Sequence, residues 1–168
     1  MEDNYIHFKI DGRDLKIHKE NPDDILMWKT HSGSQKLKKP RWNQIKIQNR
    51  KSDGYKYIHI TPKRYLLHRV NYFAWNQDWD IHNSCVKTNS IDHKDINVTN
   101  NNIENLRVVT NQQNHFNRNC KGYYFNKQSQ KWKARIDVNG KQKYLGLFLL
   151  EEDARNAYLE AKKIYHKI

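Results

Sequence analysis

Apolar and polar residues alternate in short runs along much of the chain, which is the period of a half-buried β-strand. Two of these runs flank Asp11-Gly12, a pair that favours a tight turn, so residues 4–18 are predicted to form a β-hairpin. The same reasoning predicts strands at residues 25–30, 45–47 and 55–60, with a flexible basic loop at residues 31–40. The first third of the chain is therefore expected to be rich in β-structure.

Apolar residues recur at helical spacing in two segments. Residues 66–75 carry them at positions 66, 67, 70, 73 and 74, which predicts a helix with His68 and Arg69 at its surface. Residues 151–165 begin with three acidic residues and end in lysines, as the helix dipole favours, and their alanines and tyrosines form a stripe typical of packing on a sheet. Three alternating runs precede this helix at residues 122–126, 131–138 and 142–148, with a hairpin turn predicted at Asn139-Gly140.

The net charge of +13 and the pI near 9.7 indicate an anionic partner. Residues 28–69 hold twelve Lys and Arg against one acidic residue, and residues 121–168 hold eleven against five. Clustered cations with aromatic residues between them suit a polyanion, because each phosphate contact releases counterions. No apolar run is long enough to span a membrane and neither block forms a basic amphipathic helix, so a membrane partner is not expected.

Three cations of the predicted basic loop, and the arginine directly after it, have two interpretations. Lys36, Lys38, Lys39 and Arg41 either track a phosphate backbone or are ordinary solvated residues, and the sequence favours neither strongly. We include them, together with Arg69, among the candidate DNA contacts.

The two cysteines, Cys85 and Cys120, are too few for a disulfide framework or a Cys-rich zinc site. Both are expected to be small buried side chains. A reducing compartment such as the cytoplasm is therefore expected.

Residues 90–116 contain carboxylate, imidazole and amide side chains at short intervals. The stretch contains Asp92-His93, then Asn105-Leu106, and finally Asn114 after a Val-Val-Thr run. This pattern resembles the HNH nuclease motif, in the variant used by phage and intron homing endonucleases, whose last residue is Asn. The resemblance covers about residues 54–118 and extends to Leu67-His68-Arg69 and Asn101-Asn102.

The resemblance implies a ββα-metal module and a metal-dependent, site-specific DNA endonuclease in the cytoplasm of a bacterial or phage-infected cell. His93 would be the general base, since a neutral imidazole can take a proton from water near neutral pH. Asp92 and Asn114 would offer oxygen ligands to one Mg²⁺ or Mn²⁺ ion per active site. Asn105 would tie the loop that orients His93.

Two details of this motif remain open. Asp95 is a rival metal ligand, and His115 is a rival for the last position of the motif. In addition, neighbouring side chains of a strand point to opposite faces, so the strand must end or bend at Asp92-His93 if both serve one site.

Residues 121–165 resemble the AP2/ERF-type DNA-binding domain. The similarity is carried by Lys121-Gly122-Tyr123-Tyr124, residues 131–136, Tyr144-Leu145-Gly146-Leu147-Phe148 and the start of the last helix. It implies a three-stranded sheet laid in the major groove and backed by a helix. Leu150 stands where a capping Ser or Thr would be expected, which costs the helix up to about 1 kcal/mol.

Strand alternation indicates which side chains of this module could face DNA. Trp132, Ala134, Ile136 and Val138 are expected to face the helix, which turns Lys133 and Arg135 outward. Tyr124, Asn126, Gln142 and Tyr144 are expected to share this outer face as candidate DNA contacts. Arg135 could contact guanine, Asn126 and Gln142 could contact adenine, and Lys121 and Lys133 are the candidate phosphate contacts.

The sequence thus predicts an α+β protein in three parts: an N-terminal β-rich segment (residues 1–53), an HNH nuclease module (54–119) and an AP2/ERF-like DNA-binding domain (120–168). The expected function is that of an HNH homing endonuclease, which binds double-stranded DNA as a monomer, nicks one strand and needs no protein partner. Two alternatives stay open: a non-enzymatic DNA-binding regulator, and a restriction or repair nuclease of the same chemistry.

Overall fold

The computed structural model describes residues 3–83, 88–117 and 120–167, which form an α+β protein with several small sheets and three α-helices. The chain divides into two units, residues 1–85 with 91–108 and residues 86–90 with 109–168. The three-part division drawn from the sequence stays a prediction. No helix in the described ranges is long and apolar enough to cross a membrane.

The first unit contains a four-stranded antiparallel sheet. Its strands lie in the order β1 (Tyr5–Ile10), β2 (Arg13–His18), β3 (Ile25–Ser32) and β4 (Gln35–Gln44). Asp11 and Gly12 have φ values of 47° and 71°, the left-handed backbone of a two-residue hairpin turn, so the predicted hairpin is confirmed. A second sheet joins β5 (Gln48–Asn49), β6 (Lys56–Ile60) and β7 (Lys63–Leu66).

The prediction of a flexible loop at residues 31–40 is wrong. β3 and β4 pair through this segment as an antiparallel ribbon, which turns at Gly33 with φ of 62°. Trp28 and Trp42 lie opposite each other on the two strands, with ring centres 5.3 Å apart. This aromatic cross-strand pair stabilises the ribbon despite its many lysines.

The strand predicted at residues 45–47 is also absent from the structure. The segment has no regular structure, although Ile45 is buried and its N–H donates to the carbonyl oxygen of Ile25 at 2.9 Å. The alternation of apolar and polar residues there reflects the core contacts of Ile45 and Ile47 and not a strand ladder.

The helix predicted at residues 66–75 is confirmed as α1 (Leu67–Trp75). Its apolar face packs against the first two strands and β6, and the fully buried members of this core are Ile10, Leu15, Ile17, Ile25, Ile58, Ile60, Leu67 and Val70. The same helix also buries His68 and Asn71. It thereby brings two polar side chains into the interior of the first unit.

The predicted nuclease motif folds into short elements. These are β8 (Ser90–His93), a 3₁₀ turn (Ile103–Asn105), β9 (Leu106–Val109) and α2 (Asn111–Phe116), with β8 and β9 paired in a two-stranded sheet. α2 begins with a capping box: Thr110 Oγ1 accepts from the Gln113 N–H, and Gln113 Oε1 accepts from the Thr110 N–H. Side chains thus satisfy exposed N–H groups at the start of this short helix.

The second unit contains the antiparallel sheet β10 (Tyr123–Asn126), β11 (Lys131–Val138) and β12 (Lys141–Phe148), together with α3 (Glu151–Tyr165). Ile136, Tyr158 and Ala161 form its buried core. Asn139 and Gly140 have φ values of 53° and 74°, which confirms the predicted hairpin turn. As expected, Leu150 at the start of α3 makes no side-chain capping bond.

The prediction of buried cysteines is wrong for Cys120, which is an exposed free thiol. The other cysteine, Cys85, lies outside the described residues.

Candidate active site

β8 ends at His93, and this end places two neighbouring polar side chains in buried positions. Asp92 is 6% exposed and His93 is 3% exposed. Directly after the strand, the chain turns: the Ile96 N–H donates to the His93 carbonyl oxygen at 2.9 Å, and the Lys94 N–H donates to the Asn105 carbonyl oxygen at 2.9 Å. The strand therefore ends at the residue pair where the sequence required an end or a bend.

Side chains from three other segments contact the His93 imidazole. Asn101 Oδ1 lies 3.0 Å from His93 Nε2 in a buried hydrogen bond. The ring of His68 meets the His93 ring edge-on with centres 5.1 Å apart, and the Tyr55 ring centre lies 5.9 Å away. The imidazole is therefore restrained both by hydrogen bonding and by aromatic contacts.

The surface position predicted for His68 is wrong. This side chain is only 5% exposed, because it faces the interior of the first unit and contacts both Tyr55 and His93. Burial, with a smaller effect of His93, lowers the pKa of His68 to about 3. His68 is therefore neutral across the physiological pH range.

Asp92 is held by an arginine of the neighbouring strand. Arg107 donates from Nε and Nη2 to Asp92 Oδ2 at 2.9 and 2.8 Å. A carboxylate has about four lone-pair sites, so the two bonds from Arg107 are compatible with an additional metal ligand role. The donor set of the motif, a carboxylate and an amide oxygen, also fits a hard divalent cation.

No group of three or more His, Cys, Asp or Glu side chains suited to one metal ion occurs among the described residues. A metal site built from one carboxylate and one amide, with phosphate and water as further ligands, would not contain three His, Cys, Asp or Glu side chains. The predicted pairing of Asp92 with Asn114 stays a prediction, since the two residues belong to different units.

Asn105 ties together the loop that follows His93. Its Nδ2 donates to Asp95 Oδ1 at 2.9 Å and to the Asn100 carbonyl oxygen at 2.8 Å, and its Oδ1 accepts from the Asp95 N–H at 3.1 Å. These bonds fit the loop-tying role expected of Asn105, and its part in catalysis stays a prediction.

Asp95, the rival metal ligand, is engaged inside this loop. Its Oδ2 accepts from Asn100 Nδ2 at 2.7 Å, and its Oδ1 accepts from the Asn97 N–H at 2.9 Å as well as from Asn105. The side-chain bond from Asn100, more than the others, lowers the pKa of Asp95. These bonds favour a structural role for Asp95.

Asn114 and its rival His115 both lie on α2 in the second unit. Asn114 is half-buried, and its N–H donates to the Thr110 carbonyl oxygen at 2.9 Å. The helix is fixed within its own unit, because the Phe116 ring stacks on the His166 ring with centres 4.0 Å apart.

The four cations predicted at residues 36–41 lie on β4 of the ribbon, and all four are exposed. Lys29 stands directly opposite Arg41 across the two strands, and His31 stands opposite Lys36. Lys29 and Arg41 carry like charges in opposed positions, which destabilises a sheet. DNA contacts by the four cations stay a prediction.

Arg69 is engaged within its own unit. Its Nη2 donates to the carbonyl oxygens of Ile81 and Asn83 at 3.0 and 2.9 Å, and its guanidinium lies 4.7 Å from the centre of the Trp79 ring. Its burial lowers the pKa of Arg69. These contacts fasten residues 79–83 to α1, and a DNA contact by Arg69 stays a prediction.

The outer face of the C-terminal sheet carries a cluster of cations and tyrosines. Arg135 lies 5.2 Å from the ring centre of Tyr124 and donates to Gln142 Oε1 at 3.1 Å. Lys133 lies 5.6 Å from the ring centre of Tyr144, a side chain that is 56% exposed. Five of the predicted DNA contacts therefore share one exposed face.

The two other predicted contacts of this module have local partners. Asn126 Oδ1 accepts from the N–H groups of Gln128 and Ser129 at 2.9 and 3.4 Å, in the turn that leads to β11. Lys121 Nζ lies 3.9 Å from Glu151 Oε1. Roles of Asn126 and Lys121 on DNA stay predictions.

Sequence reasoning gave no role to three residues of the site: Tyr55 and Asn101, which contact His93, and Arg107, which bonds to Asp92. The Arg50 guanidinium lies 5.4 Å from the Tyr55 ring centre, and with Lys51 and Arg64 it lines a cavity of about 490 Å³. Asn101 lies in the Asn-rich part of the motif, and this position was the feature of the sequence that could have indicated a role for it. Nothing in the residue pattern marked Tyr55 or Arg107.

Residues 79–116 match the protein-family model described as HNH endonuclease. Neither the curated proteins nor the solved structures contain a match to this chain. The family match and the buried Asp92-His93 pair together support a nuclease that acts on nucleic acid, with a divalent metal as is usual for HNH nucleases.

Proposed function

We propose that this protein is a metal-dependent, site-specific DNA endonuclease of the HNH homing type. The observation that carries the proposal is the buried His93 at the end of β8, bonded to Asn101 and adjacent to the Asp92–Arg107 pair, within the segment that matches HNH endonucleases. An imidazole restrained beside a carboxylate offers a base and a metal ligand at neighbouring positions, which are groups that phosphodiester hydrolysis uses.

His93 is proposed to act as the general base. It takes a proton from a water molecule whose oxygen forms a bond to phosphorus, while the bond from phosphorus to the leaving oxygen breaks and that oxygen takes up a proton. Its contacts with Asn101 and His68 restrain the ring before substrate arrives, which reduces the reorganisation that the reaction requires.

Asp92 is proposed to hold one Mg²⁺ or Mn²⁺ ion, with Arg107 fixing the carboxylate through Oδ2. Asn114 is proposed as the second oxygen ligand because of its position in the motif. The bound ion supplies a Lewis acid for the charge that develops on the phosphate oxygens.

Double-stranded DNA is the proposed substrate, and both basic regions are proposed to bind it. The exposed cations of β4 contact phosphates, and the Arg135 face of the C-terminal sheet supplies sequence readout. With one active site per chain, a monomer nicks one strand per binding event.

The experiment is cleavage of a pool of supercoiled plasmids that carry random inserts. We expect the full chain with Mg²⁺ or Mn²⁺ to convert part of the pool to open circles, and we expect EDTA to abolish this conversion. A restriction-type enzyme would instead give linear products at short palindromic sites.

One observation favours a second candidate, a DNA-binding regulator without nuclease activity. Arg107 occupies Asp92 Oδ2 with two hydrogen bonds, as it would in a purely structural ion pair. No cleavage with any divalent metal, together with salt-sensitive binding to duplex DNA, would support the regulator and refute the nuclease.

A further inference from the structure

Three cationic side chains line a cavity of about 490 Å³ at the sheet of β5, β6 and β7. The cations are Arg50, Lys51 and Arg64, and two tyrosines, Tyr57 and Tyr65, line the cavity with them. None of the described residues that line it is acidic. Its volume lies within the range of about 300–1,000 Å³ that is usual for ligand sites.

The charges of these three cations are not equally balanced. Arg50 donates from Nε and Nη2 to the Asp53 carboxylate at 2.7 and 2.6 Å, so Asp53 offsets its charge. Lys51 and Arg64 have no acidic partner among the described residues. A concave surface with charge of one sign concentrates ions of the opposite sign. The cavity therefore has the electrostatic character of an anion site.

β7 places Arg64 beside an aromatic ring. Tyr57 stands opposite Leu66, two residues beyond Arg64 in β7, so the Tyr57 and Arg64 side chains project from the same face of the sheet. The Arg64 guanidinium lies 5.8 Å from the centre of the Tyr57 ring, whose hydroxyl donates to Gln48 Oε1 at 2.7 Å. A guanidinium that contacts a ring with its flat face can still donate from its edge, and that edge matches two oxygens of a phosphate.

One aromatic ring lies between this cavity and His93. The Arg50 guanidinium is 5.4 Å from the Tyr55 ring centre, which is 5.9 Å from the His93 ring centre. These residues and Arg64 all belong to the first unit. Successive phosphates of one DNA strand are about 3.4 Å apart along the helix axis. A strand with one phosphate at His93 can therefore place another, a few nucleotides away, at the cavity.

We propose that this cavity binds a backbone phosphate of the DNA strand whose scissile phosphate lies at His93, and that Arg64 and Lys51 contact it. The contact fixes the register of the strand close to the cut. It is separate from the cations of β4 and from the C-terminal sheet. The position of the scissile phosphate rests on the proposed function, whereas the binding of a DNA phosphate in the cavity does not.

The first test is the affinity of the full chain for a short mixed-sequence DNA duplex, measured with EDTA present at several salt concentrations. We expect Arg64→Gln to lower the affinity about 10-fold and to reduce the slope of log affinity against log salt concentration by about 1. Lys63→Gln is the matched control: it removes one positive charge from the next residue, which projects from the opposite face and pairs with Asp11. Equal losses in the two variants would overturn the contact of Arg64 with a phosphate.

The second test is ¹⁵N NMR of the full chain with labelled arginine, in which Arg64→Gln identifies the Nε–H signal of Arg64. We expect this signal to shift when the duplex is added with EDTA, and to stay in place with inorganic phosphate alone at the same phosphate concentration. A signal that the duplex leaves unchanged would overturn the proposal. An equal shift with inorganic phosphate would instead indicate a site for a free anion and overturn the assignment to a DNA strand.

The register close to the cut is tested on the mapped nicking site. Each phosphate that flanks the nick is replaced in turn by an uncharged methylphosphonate. We expect one replacement to lower the affinity of the wild type about 10-fold and that of Arg64→Gln by clearly less, because the variant has already lost the contact. If no position shows this difference, the placement of the cavity phosphate beside the cut is wrong.

These results separate the site from the nuclease. If the duplex shifts the Arg64 signal but the wild type cleaves no DNA, the proposed function fails and the cavity stands as a DNA contact. If the wild type cleaves DNA and Arg64→Gln binds the duplex as Lys63→Gln does, the nuclease stands and the phosphate site fails.

Discussion

Replacing His68 by phenylalanine is expected to make the first unit less sensitive to acid. The His68 imidazole is 5% exposed, and its pKa in the folded protein is about 3, mainly because of burial. In the unfolded chain an imidazole has a pKa of about 6.5. Between these two values the unfolded state binds a proton that the folded state does not, so stability falls as pH is lowered through this range.

The two pKa values set the size of this effect. Between pH 7 and pH 5, the protonation of His68 in the unfolded state alone removes about 2 kcal/mol of the free energy of unfolding. The phenylalanine ring of the His68→Phe variant binds no proton, so the variant should lose about 2 kcal/mol less than the wild type over this interval. The comparison uses the change in the free energy of unfolding between pH 7 and pH 5 for each protein, so a difference in stability between variant and wild type at one pH does not affect it.

The assay is urea unfolding at pH 7 and pH 5, followed by tryptophan fluorescence. His59→Phe is the matched control, because it makes the same replacement at an exposed position in β6 of the same unit. If His68→Phe and the wild type lose the same free energy between the two pH values, the buried neutral state of His68 is refuted.

Two further predictions concern the second unit. Gly122→Ala should unfold the second unit or lower its melting temperature strongly, because the new Cβ would lie 2.0 Å from the Tyr158 ring. Thermal unfolding followed by circular dichroism measures the melting temperature, and an unchanged value would contradict the packing of Gly122 against Tyr158. Arg135→Ala should weaken binding to the preferred DNA sequence by about 1–3 kcal/mol and relax sequence specificity. Lys133→Ala should weaken binding to all DNA sequences alike and reduce the slope of log affinity against log salt concentration by about 1. DNA-binding titrations at several salt concentrations measure both effects, and indistinguishable effects of the two variants would contradict separate base-contact and phosphate-contact roles.

The elements that sequence reasoning placed correctly depend on local chemistry. The turns at Asp11-Gly12 and Asn139-Gly140 adopt the left-handed backbone that these pairs favour, and α1 follows its apolar spacing. In each case the determining interactions lie within a few neighbouring residues, so they can be recognised without knowledge of the tertiary structure.

The errors arise where distant residues decide the outcome. Residues 31–40 are rich in Lys and contain Gly, which suggests a loop, but the pairing of Trp28 with Trp42 across the ribbon overrides that preference. His68 is polar, but the aromatic ring of Tyr55 and the imidazole of His93 enclose it. Such contacts join residues far apart in the chain and leave no local pattern.

The candidate site was predictable only in part for the same reason. Asp92 and His93 could be identified by their resemblance to a motif, and the end of β8 at His93 provides the strand end that this interpretation required. Arg107 and Asn101 act through tertiary contacts with these two residues, so no local residue pattern indicates their partners.

The most direct test of the proposed nuclease is single-turnover plasmid nicking by wild type, His93→Ala and Asp92→Ala, with His59→Ala as the control. We predict open circles from the wild type and the control only when Mg²⁺ or Mn²⁺ is present, and at most trace nicking from His93→Ala and Asp92→Ala although both still bind DNA. Nicking by His93→Ala at the wild-type rate would contradict the assignment of His93 as the base.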